Sequence, residues 1–417
     1  MISDLIRIFG RIGLMSFGGP AAQIALMHKE LVETRNWLTE DQFLRALSFC
    51  MLLPGPEAMQ LATYAGWKQR GILGGLIGGG LFVLPGAIVI AGLALAYGTY
   101  GDLAWVAAVF LGIKATVVVI VIQALIKVAG RALTGPIDGL IAVAGFMALF
   151  FLALPFPLVI AVAALIGAAR STTGPAAAPA PPARLGHSLR IVLVGAAIWA
   201  APLILAYMLE LPFLTDIGLF FSKLAVVTFG GAYAVLAYMT QQVVVDFQWL
   251  STAQMMDALG LAETTPGPLI LVTQFVGMVA GAAEGGVAMA LWAGLMTLWV
   301  TFVPCFIWIF AGAPLIDWLG GRPRLRGALA AITAAVVGVI ANLSLWFAAH
   351  VFFGTVEPLV WGPVQTIRPV IGTVDPVAVG LAVVAAILLL WRGWSLPRVL
   401  ITLAGVGLLH WAIAGGA

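Results

Sequence analysis

Long apolar runs constrain this chain more than any other feature of its sequence. They recur along most of its 417 residues, and each is about 20 residues long, the length at which a helix crosses the hydrocarbon core of a bilayer. Apolar residues make up 62% of the chain and charged residues 9%, whereas a soluble chain is about 25% charged. Too few polar residues remain to cover a water-facing surface. The sequence therefore predicts an all-α, multi-pass membrane protein.

The chain also contains an internal duplication at an offset of 212 residues. The segment FGGPAAQIALM from Phe17 aligns with FGGAYAVLAYM from Phe229, and the PGP motif at 54–56 aligns with the PGP motif at 266–268. Between residues 16 and 56, 15 of 41 aligned positions are identical without a gap. After seven inserted residues the alignment resumes. The chain therefore carries two copies of one unit.

The duplication divides the chain into three parts. Residues 1–169 form the first repeat, and residues 170–188 form a linker whose proline and alanine content favours extended backbone. Residues 189–417 form the second repeat, which begins with one extra helix. The hydropathy pattern predicts ten to thirteen spans, and the thirteen candidates are 5–28, 42–66, 71–97, 102–126, 137–153, 155–169, 189–209, 217–242, 253–280, 285–313, 327–353, 375–391 and 397–414.

The charges of the loops predict that the two repeats are inverted. Threading the spans from a cytoplasmic N-terminus places most lysines and arginines on the inside, as the positive-inside rule requires. Seven spans separate the starts of the two repeats, and this odd number reverses the second copy. The loop at 98–102, which carries no lysine or arginine, corresponds to the loop with three arginines at 322–326. Inverted repeats with a substrate site near the midplane are typical of secondary transporters.

The two PGP motifs are predicted to break their spans into half-helices. Proline inside a helix removes a hydrogen bond and clashes with the preceding turn. Non-helical backbone at membrane depth is tolerated only inside protein or beside a wet cavity, and a half-helix that starts there presents free N–H groups to an anion. The alternative is a kink that only packs, but two matched motifs favour a site. Its residues are Pro54, Gly55, Pro56, Pro266, Gly267 and Pro268.

A second pair of breaks is predicted at the Phe-Gly-Gly motifs. Glycine permits either an unwound turn or a close approach between helices, and the sequence favours neither. The candidate site residues here are Gly18, Gly19, Gly230 and Gly231.

Basic side chains inside the spans are candidates for binding an anion, because a charge in lipid is costly and tends to face a cavity or a partner. Arg11 and Lys223 occupy equivalent positions, and Lys114 lies deep in the fourth span without a basic counterpart. We expect Lys114 to be a lone ammonium that needs an anionic partner, and the substrate is one candidate. Arg45 aligns with Asp257, so the second copy reverses that charge. Snorkelling to the interface is the alternative for each basic residue.

Acidic and amide side chains complete the candidate set. Glu57 follows the first PGP motif and Glu263 precedes the second, so each could carry protons or cap a helix. Gln123 and Asn342 are matched across the repeat and could bind the substrate or bond helix to helix. The four histidines are scattered and no phosphate-binding loop is present, so we expect no metal site, no cofactor, no ATP and no nucleic-acid partner.

The motifs resemble those of the chromate ion transporter family in its long, two-domain form. The resemblance rests on SFGGP at Ser16, the WLT segment at Trp37, LLPGPEAMQLATYAGW at Leu52, and the TFGG and TTPGP of the second copy. It implies an exporter in the bacterial inner membrane that moves chromate with the proton-motive force and confers chromate resistance. The partners implied are chromate or a sulfate-like oxyanion, protons and lipid, and a homodimer is compatible with the sequence.

Three other functions compete with chromate export. A sulfate permease is the nearest, because sulfate and chromate share shape and charge. A membrane enzyme that acts on lipid-linked substrates would need a cluster of nucleophile, base or metal ligands, which the sequence does not contain. A passive anion channel would not need helices broken at matched positions of two repeats.

Overall fold

The computed structural model describes residues 2–17, 19–101, 103–171, 182–229, 232–316 and 322–415. Fifteen α-helices lie in these ranges. They are α1 (Ile2–Met15), α2 (Gly19–His28), α3 (Glu40–Cys50), α4 (Glu57–Tyr100), α5 (Ala104–Ala132), α6 (Pro136–Phe150), α7 (Phe156–Arg170), α8 (Pro182–Met208), α9 (Pro212–Val227), α10 (Ala232–Gln241), α11 (Thr252–Thr264), α12 (Val272–Gly312), α13 (Pro323–Phe352), α14 (Pro376–Ala386) and α15 (Leu396–Ile413). The helical membrane fold predicted from the sequence is confirmed.

Six segments of the described chain are long and apolar enough to cross a bilayer. They are Glu57–Tyr100, Ala104–Ala132, Gly186–Met208, Leu269–Leu315, Pro323–Phe352 and Leu396–Ile413. Pro136–Phe150, Phe156–Arg170 and Pro376–Trp391 are shorter apolar helices. The first and fourth of the six segments are each two helices joined at a sharp turn, as the separate spans at 71–97 and 285–313 predict.

Each of these turns depends on a glycine with positive φ. In α4 the break lies at Arg70 and Gly71, where Gly71 has φ 57°. In α12 it lies at Gly285 and Gly286, where Gly286 has φ 67°. This left-handed region is open to glycine without a steric penalty. The chain then folds back on itself, so that Gly66 packs against the carbonyl of Gly74.

The chain forms two compact units, and each contains parts of both repeats. The first unit comprises Met1–Gly98, Pro175–Ala232 and Leu261–Arg322, and the second comprises Thr99–Gly174, Tyr233–Gly260 and Pro323–Ala417. The repeat boundaries at 169 and 189 therefore describe the sequence and do not coincide with the compact units.

In the first unit, α8 is held to α12 by three hydrogen bonds, two in the middle of α8 and one near its N-terminal end. The indole N–H of Trp199 donates to the carbonyl of Val300, and the indole N–H of Trp299 donates to the carbonyl of Ile198, both at 3.1 Å. The Ser188 hydroxyl donates to the carbonyl of Ala311 at 2.6 Å. These bonds satisfy polar groups that lipid could not.

The linker is shorter than predicted, because α8 begins at Pro182 whereas the predicted span begins at residue 189. Proline is compatible with the first turn of a helix, where its missing N–H has no partner to lose. Residues 172–181 of the predicted linker lie outside the described ranges.

The second unit packs its helices closely through small residues. Gly112 of α5 lies against the Leu403 backbone of α15, and Gly407 lies against the carbonyl of Ala108. Gly338 of α13 lies against the carbonyl of Ala142 in α6. Small residues let helix backbones approach each other, which is the main source of helix association in lipid.

One element of the second unit is not helical and was not predicted. The strands β1 (Val356–Trp361) and β2 (Val364–Pro369) form an antiparallel hairpin. Its two-residue turn contains Gly362, whose φ is 59°, as tight hairpin turns require. The Gln365 N–H donates to the carbonyl of Phe151 at 2.8 Å and ties the hairpin to the end of α6.

Candidate functional site

The two PGP motifs form buried elbows in the first unit. After α3 ends at Cys50, the backbone stays non-helical until α4 begins at Glu57. Gly55 has φ +116° and Gly267 has φ +91°, and both values lie in the region that only glycine enters without strain. The prolines on either side carry no N–H, so each elbow has one central backbone donor, its glycine. All six elbow residues are buried.

Each elbow glycine donates its N–H to the Phe-Gly-Gly break of the other repeat. The Gly55 N–H donates to the carbonyl of Thr228 at 2.8 Å, and the Gly267 N–H donates to the carbonyl of Ser16 at 2.9 Å. Both the donors and the acceptors are separated by 212 positions, so the two bonds are equivalent under the duplication. The break and the elbow of opposite repeats therefore form one structural motif, present twice.

The breaks are themselves stabilised in an equivalent way. The Ser16 hydroxyl donates to the carbonyl of Ile12 at 2.6 Å, and the Thr228 hydroxyl donates to the carbonyl of Leu224 at 2.5 Å. These bonds occupy carbonyls in the last turns of α1 and α9, where helical acceptors lack backbone donors.

Matched positions of the long helices pack on the elbows. Gly86 of α4 lies directly against the carbonyl of Pro266. Its counterpart at an offset of 219 is Cys305 of α12, whose sulfur lies 2.8 Å from the position that a Cβ at Gly55 would occupy. A small residue at each position lets the helix approach the backbone of the opposite elbow.

Three buried glutamines hold this arrangement, and the sequence analysis did not identify them. The Gln23 amide donates to the carbonyls of Ser16 at 3.2 Å and Gly267 at 2.8 Å. The Gln60 amide donates to the carbonyl of Pro54 at 2.7 Å, and the Gln274 amide donates to that of Ala87 at 3.1 Å. A glutamine inside an apolar run was the available signal, because a buried amide must find partners.

Helices begin after the first break and the first elbow, at Gly19 and Glu57. Gly19 starts α2 with φ +75°, and no described atom lies within 4 Å of the position that its Cβ would occupy. Glu57 is half-buried in the first turn of α4, where free N–H groups and the helix dipole stabilise negative charge. Gly18, Gly230 and Gly231 lie outside the described residues.

Charged residues of the first unit differ in exposure. Glu263 is 9% exposed, in the last turn of α11 before the second elbow. Lys223 is exposed on α9. Arg11 is exposed on α1, with its guanidinium 3.6 Å from the carboxylate of Glu30. Arg45 is exposed and pairs with Asp41 one turn earlier on α3, which fits the interfacial alternative.

Lys114 is not the lone ammonium that we expected. Its Nζ lies 2.8 Å from the carboxylate of Asp257 on α11, and both side chains are largely buried in the second unit. The expectation was wrong because the partner comes from a helix far away in sequence. Gln123 is exposed on α5, whereas Asn342 lines a cavity of about 240 Å³ in the second unit. The two matched amides therefore have different surroundings.

The candidate site residues thus fall into two groups. The elbow residues, Gly19, Glu57, Glu263 and Lys223 belong to the first unit, and Lys114, Gln123 and Asn342 belong to the second. Within the described residues, no three histidines, cysteines or acidic residues are grouped as a metal site.

Comparison with known proteins gives consistent matches over both repeats. The family model described as "Chromate transporter" matches residues 3–168 and 215–410. The "Chromate transport protein" of Cupriavidus metallidurans is 32% identical over 340 residues, which cover 81% of this chain and 80% of that protein. The protein of the same description from Pseudomonas aeruginosa is 30% identical over 352 residues, or 81% and 79% of the two chains.

A "Probable chromate transport protein" from Synechococcus elongatus is 28% identical over 351 residues, or 82% of this chain and 83% of that protein. No solved structure matches the chain significantly. Helix α8 lies between the two matched regions.

Proposed function

Because this chain belongs to the chromate transporter family, we propose that it is a secondary active transporter that exports chromate across the bacterial inner membrane. The proton-motive force drives the export, and the N-terminus is cytoplasmic. The observation that carries the proposal is the pair of equivalent elbows, each bonded to the break of the opposite repeat. Broken helices at the interface of inverted repeats are where transporters of this architecture bind their substrate.

The elbows suit a tetrahedral dianion. Chromate presents four oxygens that accept hydrogen bonds, and the first turn of a half-helix supplies N–H donors aligned with a positive dipole end. The open space at Gly19 gives an oxygen access to the start of α2. Backbone donors at an elbow lose no side-chain entropy when the anion binds, and the hydrogen bonds from Gly55 and Gly267 already fix the conformation of each turn.

Two acidic residues beside the elbows are the proposed proton carriers. Glu57 starts α4, and Glu263 ends α11. A protonated Glu57 no longer competes with the oxyanion for the first turn of α4, and a protonated Glu263 no longer repels an anion at the second elbow. Proton uptake and anion binding then favour each other. A dianion that crosses together with one proton carries one net negative charge outward, which the inside-negative membrane potential favours.

Uptake into inverted membrane vesicles tests the substrate and the coupling. Vesicles that contain the protein should accumulate labelled chromate when respiration makes their interior positive and acidic, and an uncoupler should abolish this accumulation. Excess unlabelled sulfate distinguishes the rival permease. Inhibition by sulfate as strong as that by unlabelled chromate would replace chromate with a broader oxyanion substrate. Chromate uptake that follows the membrane potential but does not respond to a pH gradient would indicate a channel.

Replacing the first elbow tests the site. Changing Pro54, Gly55 and Pro56 together to alanine permits a continuous helix, because alanine has the highest helix propensity. The free N–H groups are then withdrawn and the bond to Thr228 is lost. Transport should fall while membrane insertion survives.

The matched control is Pro202→Ala, which replaces a proline inside α8 by alanine at a position far from either elbow in sequence. The control should transport at the parental rate. A triple-alanine protein that is as stable as this control and still transports chromate normally would show that the elbows are packing kinks.

A further inference from the structure

A buried ion pair in the second unit has no role in the elbow site. The ammonium of Lys114 lies 2.8 Å from the carboxylate of Asp257, and their side chains are 16% and 9% exposed. Lys114 stands on α5, which is long and apolar enough to cross a bilayer, and a charge in such a helix is costly and marks a function more often than a structural contact. Replacing a buried ion pair by apolar residues is often neutral or stabilising. Stability alone therefore gives little reason for this pair.

Lys114 also lines a cavity. The space measures about 350 Å³, and its polar lining includes the side chains of Lys114, Thr252, His350 and Asp375. A tetrahedral oxyanion is much smaller than this volume. The ammonium therefore has an anionic partner on one side and space for a second anion on the other.

The other titratable groups of the cavity are already engaged. His350 Nδ1 lies 2.8 Å from the carbonyl of Trp346, so in the neutral ring Nδ1 donates and Nε2 is the free acceptor. The Asp375 carboxylate accepts the N–H groups of Val377 and Ala378 at 2.8 and 3.0 Å and caps α14. Asp257, which does not line the cavity itself, is the carboxylate that an oxyanion bound to Lys114 can displace.

We propose that Lys114 and Asp257 form a proton-linked oxyanion site. The oxyanion enters the cavity and accepts hydrogen bonds from the Lys114 ammonium, while the Asp257 carboxylate takes one proton from a hydronium ion of the solvent, whose O–H bond breaks to leave water. One O–H bond forms on Asp257, and the contact between Lys114 and Asp257 is replaced by one between Lys114 and the oxyanion. The inference rests on the proposed function, since it gives proton-coupled oxyanion transport a specific pair of groups.

The charge balance explains why one proton accompanies the anion. The pair is neutral before binding, and a dianion that enters without a proton leaves two uncompensated negative charges in the cavity. Protonation of Asp257 leaves one. Because uncompensated buried charge is strongly disfavoured, binding the dianion raises the proton affinity of Asp257, and protonation raises the affinity for the dianion.

The position of Asp257 connects this exchange to the second elbow. Asp257 stands on α11, and that helix ends at Thr264, directly before the second elbow. Release of the carboxylate from Lys114 frees a helix that leads into Pro266. The position of the first repeat that is equivalent to Asp257 carries the opposite charge, Arg45. The pair between Lys114 of the first repeat and Asp257 of the second therefore has no equivalent with the two repeats exchanged.

The test compares three variants in proteoliposomes. Asp257→Asn mimics a permanently protonated carboxyl and should bind and exchange chromate, but lose accumulation driven by a pH gradient. Its affinity for chromate should vary less than about twofold over a range of pH in which the parent changes by up to about tenfold per unit, the limit for one linked proton. Lys114→Gln should lose both binding and exchange. The double variant Lys114→Gln/Asp257→Asn should fold like the parent and remain unable to exchange.

The matched control is Asp246→Asn, an exposed carboxylate of the same unit, which should behave like the parent. A purely structural pair predicts a different pattern, in which both single variants lose stability and the double variant restores stability together with coupled transport. That pattern, or pH-driven accumulation by Asp257→Asn, would overturn the inference while leaving the proposed function intact. A parent protein that does not respond to a pH gradient would refute the proposed function and this inference together.

Discussion

Replacing Gly86 by alanine should damage the second elbow even though alanine favours the helix. Gly86 lies in α4, with the carbonyl of Pro266 directly against its Cα. An added Cβ cannot fit there unless the helix or the elbow moves. The Gly267 N–H that follows this carbonyl donates to Ser16, so a displaced elbow also weakens that bond.

The magnitude follows from three opposing contributions. Alanine in a helix interior is favoured over glycine by roughly 0.8–1.0 kcal/mol. Forcing a methyl group into a packed core costs about 1–3 kcal/mol, and the weakened hydrogen bond is worth about 0.5–1.5 kcal/mol. The net loss in the free energy of unfolding is then about 0.5–3.5 kcal/mol from these values.

Gly92→Ala on the same helix is the control, because no described atom lies within 4 Å of the position that its Cβ would occupy. It should gain up to about 1 kcal/mol from helix propensity alone. Thermal unfolding in one detergent should therefore rank Gly92→Ala above the parent and Gly86→Ala below it, and transport should fall only in Gly86→Ala. Equal melting temperatures and equal transport for the two variants would refute the close packing of α4 on the elbow.

Three further predictions follow from the fold. Reporter fusions at Gly98 and Arg324 should lie on opposite sides of the membrane, since the charge of these equivalent loops is swapped. If both reporters lie on the same side, the two repeats are not inverted. Gln23→Leu should lower the free energy of unfolding by about 1–3 kcal/mol, because a buried carbonyl loses its donor, and a thermal shift assay that finds no loss would contradict this. Ser188→Ala should cost about 0.5–1.5 kcal/mol, measured the same way, because its bond to Ala311 is lost; unchanged stability would show that this bond does not hold α8.

The breaks and turns of this fold could be predicted because their causes are local in sequence. Proline removes a backbone donor wherever it stands, so the elbows at Pro54 and Pro266 follow from the motif itself. The turn at Gly286 falls where the predicted loop lies, because glycine alone enters the required backbone region freely. Because of the duplication, each break predicted in one repeat is also predicted at the equivalent position of the other.

The partners of polar side chains could not be predicted in the same way. Which carboxylate meets Lys114 depends on how α5 and α11 pack, and no local pattern encodes that packing. The reversed charge of Asp257 relative to Arg45 was the one available hint. The amide contacts of Gln23 were missed for the same reason.

The β-hairpin was missed for a different reason. Hydropathy identifies spans and treats the residues between them as loops. β-branched residues alternate around Gly362, which is typical of two strands. Segments this short and polar are not detected when the sequence is searched for apolar runs of membrane-spanning length.

The crossed bonds of the elbows bear on how such a chain could arise. In a protein with one copy, the amide of Gly55 would have no Thr228 carbonyl to meet, and the carbonyl of Ser16 would have no Gly267 amide. Two separate copies inserted in opposite orientations would satisfy both groups. An ancestral half-length chain would therefore have worked as an antiparallel pair before its gene was fused.

Fusion alone would not preserve that pairing. Six spans are predicted in the first copy, and an even number returns the chain to its starting side, so a second copy joined directly would insert in the same direction as the first. Helix α8 lies outside both regions that match the family. If α8 crosses the membrane once, the number of crossings before the second copy becomes odd. We propose that α8 lets one polypeptide contain two halves that point in opposite directions.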